Sequence, residues 1–364
     1  MPKFEPNYTI TNQAASDLIR IEAVRQRIEF LPIHPTLLVS LRETARIYST
    51  HYSTMIEGNR LTQEQVEQVV SKSLHFPGRA RDETEVKGYY AAIGELEAMV
   101  VRKGTITEQF IQMLHALVMG AGKKQVRPTP YRTAQNVIRD AATRRIVYMP
   151  PEAKDVQPMM KQLTEWIRIS ERNVVPCAIR AAIAHYQFAT IHPYLDGNGR
   201  TARLLTNAVL HLDGYGLKGL YSLEEYYAKN LGAYYQAIAI GPSHNYYFGR
   251  AQADITPWID YFCAGMARSF EAVAERAELA ASAGVSDKHI QLRALDPMQR
   301  RCLELFQTRK EIASSDIQAF FNYKPRSATA LLARWVNQGF LIITDPGLRS
   351  RKYALAKQHR KLLD

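Results

Sequence analysis

The chain reads as mainly α-helical, with one β-hairpin ahead of its middle and a helix-and-strand region at its C-terminus. Three observations predict this class. Residues 36–57 run without a proline or a glycine. Apolar residues recur at helical spacing elsewhere, as in Phe110, Ile111, Leu114, Leu117 and Val118. Runs of β-formers are confined to 133–137, 146–149 and two short stretches after Gly339.

Taken in order, residues 1–34 carry a helix ending near Phe30, because Pro32 and Pro35 break the pattern. The helix over about 36–57 stops at Gly58-Asn59, and the next starts at Thr62, with Gln65 completing a capping box. Further helices are expected over about 83–101 and 107–119. The β-rich runs 133–137 and 146–149 flank the charged turn 139–145 and are closed by Met149-Pro150-Pro151, which predicts a hairpin. Pro176 suits the first turn of the following helix, whose buried stripe is Ile179, Ala182, Ile183 and Tyr186. Another helix continues through 204–212. Two aromatic pairs follow, Tyr226-Tyr227 and Tyr234-Tyr235, and helix packing accounts for at least two of these rings.

Residues 271–296 are rich in alanine and glutamate and break at Gly284, the pattern of a helical linker. Beyond it, Pro297–Phe306, Ser314–Phe321 and 326–338 read as three short helices, followed by two strands around Asp345-Pro346-Gly347. This is a winged-helix pattern over 297–364. Lys324, Arg326, Arg334, Arg349, Arg351 and Lys352 fall on its third helix and wing, where a DNA backbone would lie. Such modules also dock proteins, so DNA and protein stand as equal alternatives.

The chemistry is concentrated in Ile191-His192-Pro193-Tyr194-Leu195-Asp196-Gly197-Asn198-Gly199-Arg200-Thr201-Ala202-Arg203. The paired glycines let the backbone N–H groups of 197–199 approach an anion, and the helix that follows has a positive N-terminus. Arg200 and Arg203 share one helical face. Asp196 offers hard oxygens for magnesium held against a phosphate, and His192 is the one group here that titrates near neutrality. A calcium loop starting at Asp196 fails, because Arg200, Thr201 and Asn207 stand where it needs a ligand, a glycine and a glutamate. The dinucleotide fingerprint G-x-G-x-x-A requires a preceding strand, whereas 176–191 read as helix. No phosphate-loop motif of the G-x-x-x-x-G-K-[ST] type occurs.

On these residues the chain resembles the Fic family, whose signature H-x-F-x-[D/E]-G-N-G-R-x-x-R it matches except for Tyr194 in place of phenylalanine. That aromatic is expected to anchor the loop in the core, and the tyrosine hydroxyl then needs a partner. The resemblance covers about 36–270 and implies a helical Fic domain with a β-hairpin flap. It implies transfer of AMP from ATP to a protein hydroxyl, with His192 as general base and Asp196 holding Mg2+. Gly197, Asn198, Gly199 and Arg200 would stabilise the α- and β-phosphates, and Arg203 the γ-phosphate. One ring of Tyr234 and Tyr235 would meet adenine or ribose. Gly199 argues against the branch that phosphorylates its targets, which has lysine there.

Two further parts follow from the resemblance. The hairpin near 133–149 would be a flap on which an extended protein substrate pairs by strand addition. Ser53-x-x-x-Glu57-Gly58 matches the family's inhibitory pattern, and Glu57 would form a bidentate pair with Arg203. The implied layout is an N-terminal helical region 1–100 that includes the inhibitory helix at about 36–57. The catalytic core 101–270, the linker 271–296 and the winged helix 297–364 follow. Removal of AMP by the same site, with Glu57 orienting water, is the alternative activity; a nucleotide-sensing DNA-binding regulator is another. The toxin half of a two-protein module is a third, which Glu57 within the chain makes unnecessary.

Composition fits these readings. The net charge of +12 points to an anionic partner or to a solubilising surface. Residues 1–10 lack a signal pattern and no apolar run spans a bilayer, so a cytoplasmic chain with no membrane partner is expected. Cys177, Cys263 and Cys302 lie among apolar residues, as buried thiols do in a reducing compartment. Whether the chain forms a homo-oligomer stays open.

Overall fold

A computed structural model describes the chain apart from residues 1–3, 124, 140–142, 173–174, 242, 283–294, 348–349, 361 and 364. It has two compact units. The first comprises Met1–Arg25, Ala45–Val100 and Gly104–Glu271, and the second Gln26–Thr44, Val101–Lys103 and Ala272–Asp364. Residues 45–100, assigned from sequence to an N-terminal region, therefore cluster with the core that follows, and Glu57 shares a unit with the motif.

Helices α1 (Asn12–Phe30), α2 (Pro35–Ile56), α3 (Gln63–Ser71), α4 (Ala80–Val101) and α5 (Glu108–Met119) lie close to the expected bounds. Their ends have local causes. Thr62 accepts from the backbone N–H of Gln65, whose side chain returns the bond, so the capping box is formed. Thr107 caps α5 by a single bond, accepting from the backbone N–H of Phe110. Then come β1 (Ile138–Arg139), β2 (Ile146–Tyr148), α6 (Ala153–Arg172), α7 (Cys177–Ile191) and α8 (Asn198–Leu212). The first unit closes with α9 (Leu223–Lys229), α10 (Leu231–Ile238) and the part of α11 (Thr256–Ser282) up to Glu271; the helix itself runs unbroken past residue 270.

Helices α7 and α8 form the centre of this unit. Almost every residue of α7 is buried, and alanines at 178, 181, 182 and 184 let its neighbours approach closely. The indole N–H of Trp258 donates to the Ala182 carbonyl at 2.7 Å, fixing α11 on α7. A helix apolar on all sides needs partners on all sides, and α6, α8 and α11 supply them.

The hairpin differs from expectation in its first strand. Pairing involves Ile138 with Tyr148 and Arg139 with Ile146, and 133–137 does not pair. Tertiary hydrogen bonds take that segment instead. The Arg132 N–H donates to the Pro193 carbonyl at 2.9 Å, and the Asn136 amide donates to the Tyr194 carbonyl at 2.9 Å. The turn residues 140–142 lie outside the described residues.

In the second unit, α12 (Pro297–Phe306), β3 (Ile312–Ala313), α13 (Ser314–Phe321) and α14 (Pro325–Asn337) precede β4 (Leu341–Asp345), β5 (Lys352–Leu355) and α15 (Lys357–Arg360). The strands form one antiparallel sheet in the order β3-β5-β4. All five elements expected there are present, and β3 is an addition too short to read from sequence. Cys302, Leu303, Ile317, Leu332, Trp335 and Phe340 form its core. Residues 283–294 of the expected linker, with Gly284, and Arg349 of the basic set lie outside the described residues.

Candidate functional site

The turn between α7 and α8 is shaped by two residues with positive φ. His192 ends α7 in the left-handed region at φ 52° and ψ 61°, and Gly197 precedes α8 at φ 75°. A Cβ on Gly197 would press on Met119 Sδ and on His115 Nε2, so glycine is needed there for space as well as for conformation.

The Nδ1 of His192 lies 3.3 Å from the Ala189 carbonyl. Because a carbonyl only accepts, Nδ1 carries the proton and Nε2 keeps a free lone pair. Burial lowers the His192 pKa to about 4, against the opposing pull of Ala189, so the ring is neutral at pH 7. A neutral imidazole with Nε2 unprotonated is a competent base.

Helix α8 starts without a side-chain cap, and its first-turn N–H groups carry the positive end of the helix. The Gly197 N–H is already engaged, donating to Asp196 Oδ1 at 2.6 Å. The anion-facing donors expected from 197–199 are thus shifted one residue onward. The Asn198 side chain is also committed: it accepts from the Tyr194 N–H at 3.0 Å and donates to the Tyr194 carbonyl at 2.8 Å. It braces the loop. Arg200 is buried, with Nη2 at 3.4 Å from Asp196 Oδ1, and its Nε has no hydrogen-bond partner among the described residues. Asp196 itself is 60% exposed and available to solvent species. Among the described residues no three or more His, Cys, Asp or Glu gather as a metal site.

Arg203 is 1% exposed, and its Nε and Nη2 are held by α2. Its Nε donates to Ser53 Oγ at 2.8 Å, and its Nη2 donates to the Ser53 carbonyl at 2.9 Å and to Glu57 Oε1 at 2.8 Å. Glu57 thus makes one contact where a bidentate pair is expected. Ser53, one turn earlier on the same helix, takes Nε and shares Nη2. Gly199 completes the arrangement, since a Cβ there would overlap Glu57 Oε1.

Tyr194 is buried at 2% exposure and stacks on His115, with ring centroids 3.6 Å apart. The aromatic anchors the loop as expected, but its hydroxyl finds no partner among the described residues. Tyr234 is buried and its hydroxyl meets His185 Nε2 at 2.9 Å; Tyr235 is 48% exposed, with its hydroxyl donating to the Ile56 carbonyl at 3.3 Å. Of the pair, only Tyr235 presents a ring outward.

Three contributors carry no sequence signal of their own. His115 donates from Nε2 to the Asp196 carbonyl at 3.0 Å. Arg132 donates to the His192 carbonyl at 2.9 Å and also reaches the Pro151 carbonyl, tying the turn to the segment after the flap. Glu224, 1% exposed, accepts from Ser49, Tyr89, Asn207 and Ser222. Each is an ordinary residue in sequence and becomes distinctive only by where the fold puts it.

Comparison with known proteins agrees with this geometry. Residues 105–210 match the Fic/DOC family. A protein adenylyltransferase Fic from Nematostella vectensis is 28% identical over 200 residues, covering 54% of this chain and 45% of that protein. The adenylyltransferase Fic of Drosophila mojavensis is 31% identical over 175 residues, covering 48% of this chain and 33% of that one. The chain therefore spans less than half the length of these curated relatives. Among solved structures, a Fic family protein from Desulfovibrio desulfuricans G20 matches with a TM-score of 0.60 at 23% identity, over 97% of this chain and 99% of that one. Fic-1 of C. elegans matches with a TM-score of 0.58 at 23% identity, over 74% of this chain and 73% of that one. Residues 105–210 thus carry a match to the Fic/DOC family, and the fold is similar to that of Fic-family structures. No helix among the described residues is long and apolar enough to cross a membrane.

Proposed function

We propose that the Fic domain of this chain transfers AMP from ATP to a side-chain hydroxyl of a protein substrate. The observation that carries the reading is the His192 tautomer: Nδ1–H is held by Ala189, which leaves Nε2 as the acceptor. In the reaction the substrate hydroxyl oxygen bonds to the α-phosphorus, the bond to the β-phosphate bridging oxygen breaks, and pyrophosphate leaves. The hydroxyl proton goes to His192 Nε2. The α8 N-terminus and Arg200 meet the negative charge of the phosphates, and Arg203, once freed, meets the outermost one.

Asp196 fits a magnesium ion, because Mg2+ in nucleotide sites is commonly held by one or two carboxylates together with phosphate oxygens and water. When bound, the ion would neutralise phosphate charge. An extended substrate segment would pair at the flap near 133–149, where Ile146 and Val147 are 39% and 40% exposed.

Glu57 is read as an inhibitor, occupying Arg203 and the space in front of Gly199. A second activity, removal of AMP from a modified protein, is favoured by one detail. Only Oε1 of Glu57 contacts Arg203, and the carboxylate remains 30% exposed, so its second oxygen can orient a water. The purified chain with α-labelled ATP and magnesium tests the main reading. Label should appear on protein, and His192→Ala should reduce it by about two orders of magnitude or more. Equal labelling by that variant would overturn the assignment.

A further inference from the structure

We propose that the second unit binds duplex DNA, with α14 entering the major groove. The argument starts from the solvent face of this helix. Its buried side is Ala328, Leu331, Leu332 and Trp335. The opposite side exposes Arg326, Ser327, Thr329, Ala330, Ala333 and Arg334. No acidic residue occurs anywhere on α14, and the side chains between the arginines are short. A helix with short side chains between two arginines can approach base edges closely, while the arginines reach guanine or phosphate oxygens. The Thr329 hydroxyl is taken by the Pro325 carbonyl at 2.9 Å, and on this exposed residue the methyl suits contact with thymine.

The approach to α14 supports the same placement. Asn322 ends α13 in the left-handed region at φ 53°, so α13 and α14 are joined by a turn of only three residues. Phe321 and Trp335 lock the two helices, with ring centroids 6.1 Å apart. This is helix-turn-helix geometry, in which the first helix braces the second. Lys324 is exposed at the N-cap of α14, and Lys352 is exposed at the start of β5. Residues 297–364 hold thirteen Lys and Arg against five Asp and Glu, so most of the chain's excess charge of +12 resides here. Three of those acids are committed, Glu304 to Arg42, Asp316 to Arg309 and Glu311 to Lys352.

The chemistry of this face favours duplex DNA over other nucleic acids. Single strands are held by exposed aromatic platforms, whereas Phe321, Trp335, Phe340 and Tyr353 are buried and Phe320 and Tyr323 are half-buried against the core. Duplex RNA has a deep, narrow major groove that side chains cannot read.

The full chain, titrated against a fluorescent pool of random-sequence 20-base-pair DNA duplexes, tests this. With about four phosphate contacts, affinity should fall roughly a hundredfold between 50 and 200 mM salt. Arg326→Glu with Arg334→Glu should weaken binding at 50 mM at least about tenfold and flatten the salt slope by about two. Lys72→Glu with Lys161→Glu makes the same charge change at exposed positions of the first unit and should leave most of the affinity. A matching melting temperature for the two double variants shows that neither has simply unfolded. The proposal is overturned if the α14 variant binds like wild type, if both double variants lose affinity equally, or if single-stranded DNA or duplex RNA binds as well as duplex DNA.

Discussion

Replacing Glu57 by glycine removes one contact, the 2.8 Å bond from Arg203 Nη2 to Oε1, and leaves both bonds to Ser53. Arg203 is 1% exposed and Glu57 30%, so the bond is sheltered on one side only. A hydrogen bond to a charged group in this setting contributes about 1.5–3 kcal/mol, which corresponds to roughly a ten- to hundredfold change in the fraction of Arg203 free to meet a phosphate. The single contact places the expectation toward the lower part of that range. Self-labelling with α-labelled ATP should rise about tenfold or more in Glu57→Gly. Glu57→Ala should behave alike, because the carboxylate and not the backbone is at issue. Any AMP-removing activity should disappear from both variants. If Glu57→Gly labels at the wild-type rate, and Arg203→Ala in that background does not reduce labelling, Glu57 does not restrain the site.

Gly199→Ala would drive its methyl into Glu57 Oε1, so adding Glu57→Gly to it should change labelling less than Glu57→Gly does alone; additive rate effects would contradict the contact. Tyr194→Phe removes a buried hydroxyl with no partner among the described residues and should raise stability by about 1 kcal/mol, read as a higher melting temperature; a fall would mean the hydroxyl is satisfied. Burial holds His115, His192 and His211 at about 4 and His185 at about 3, so all four stay neutral in the folded chain while the unfolded chain takes up protons below 6.5. Stability is therefore lost as pH falls through 6.5 toward those values, by about 2 kcal/mol for each such ring between pH 7 and pH 5, and equal denaturation midpoints at the two pH values would refute it.

Where local chemistry decides structure, the sequence was legible. The Thr62 and Gln65 cap, the long α2 and the turn from His192 to Arg203 follow from residues close together in the chain. The first flap strand was misplaced because Arg132 and Asn136 spend their hydrogen bonds on Pro193 and Tyr194, some sixty residues away. Periodicity cannot register such a preference. Strand β3 has two residues and no pattern to detect. In the site, the motif identified which residues gather but not how their bonds are shared: Asn198 turned out to brace Tyr194, and Ser53 takes most of the Arg203 fork. His115 and Arg132 are invisible to a local reading because each acts on backbone carbonyls of a distant segment.

The buried carboxylate of Glu224 bears on how far the restraint proposed for Glu57 would reach. Ser49 lies one turn before Ser53 on α2, and Asn207 lies one turn after Arg203 on α8. Ser49 and Asn207 both donate to Glu224, at 3.1 and 2.9 Å, so α2 and α8 are joined by two polar rungs. One rung is Ser53 and Glu57 on Arg203; the other runs through Glu224, which Tyr89 and Ser222 also hold. Undocking α2 would remove the Ser49 hydrogen bond from a carboxylate that is 1% exposed, a cost beyond that of any single surface ion pair. Loss of the Glu57 side chain leaves the second rung and both Ser53 bonds in place. The helix therefore stays docked when the carboxylate goes, and what changes is the charge and space in front of Gly199 and Arg203. If Glu57 restrains the site as proposed, removing that one side chain would relieve it, and the surrounding fold need not open.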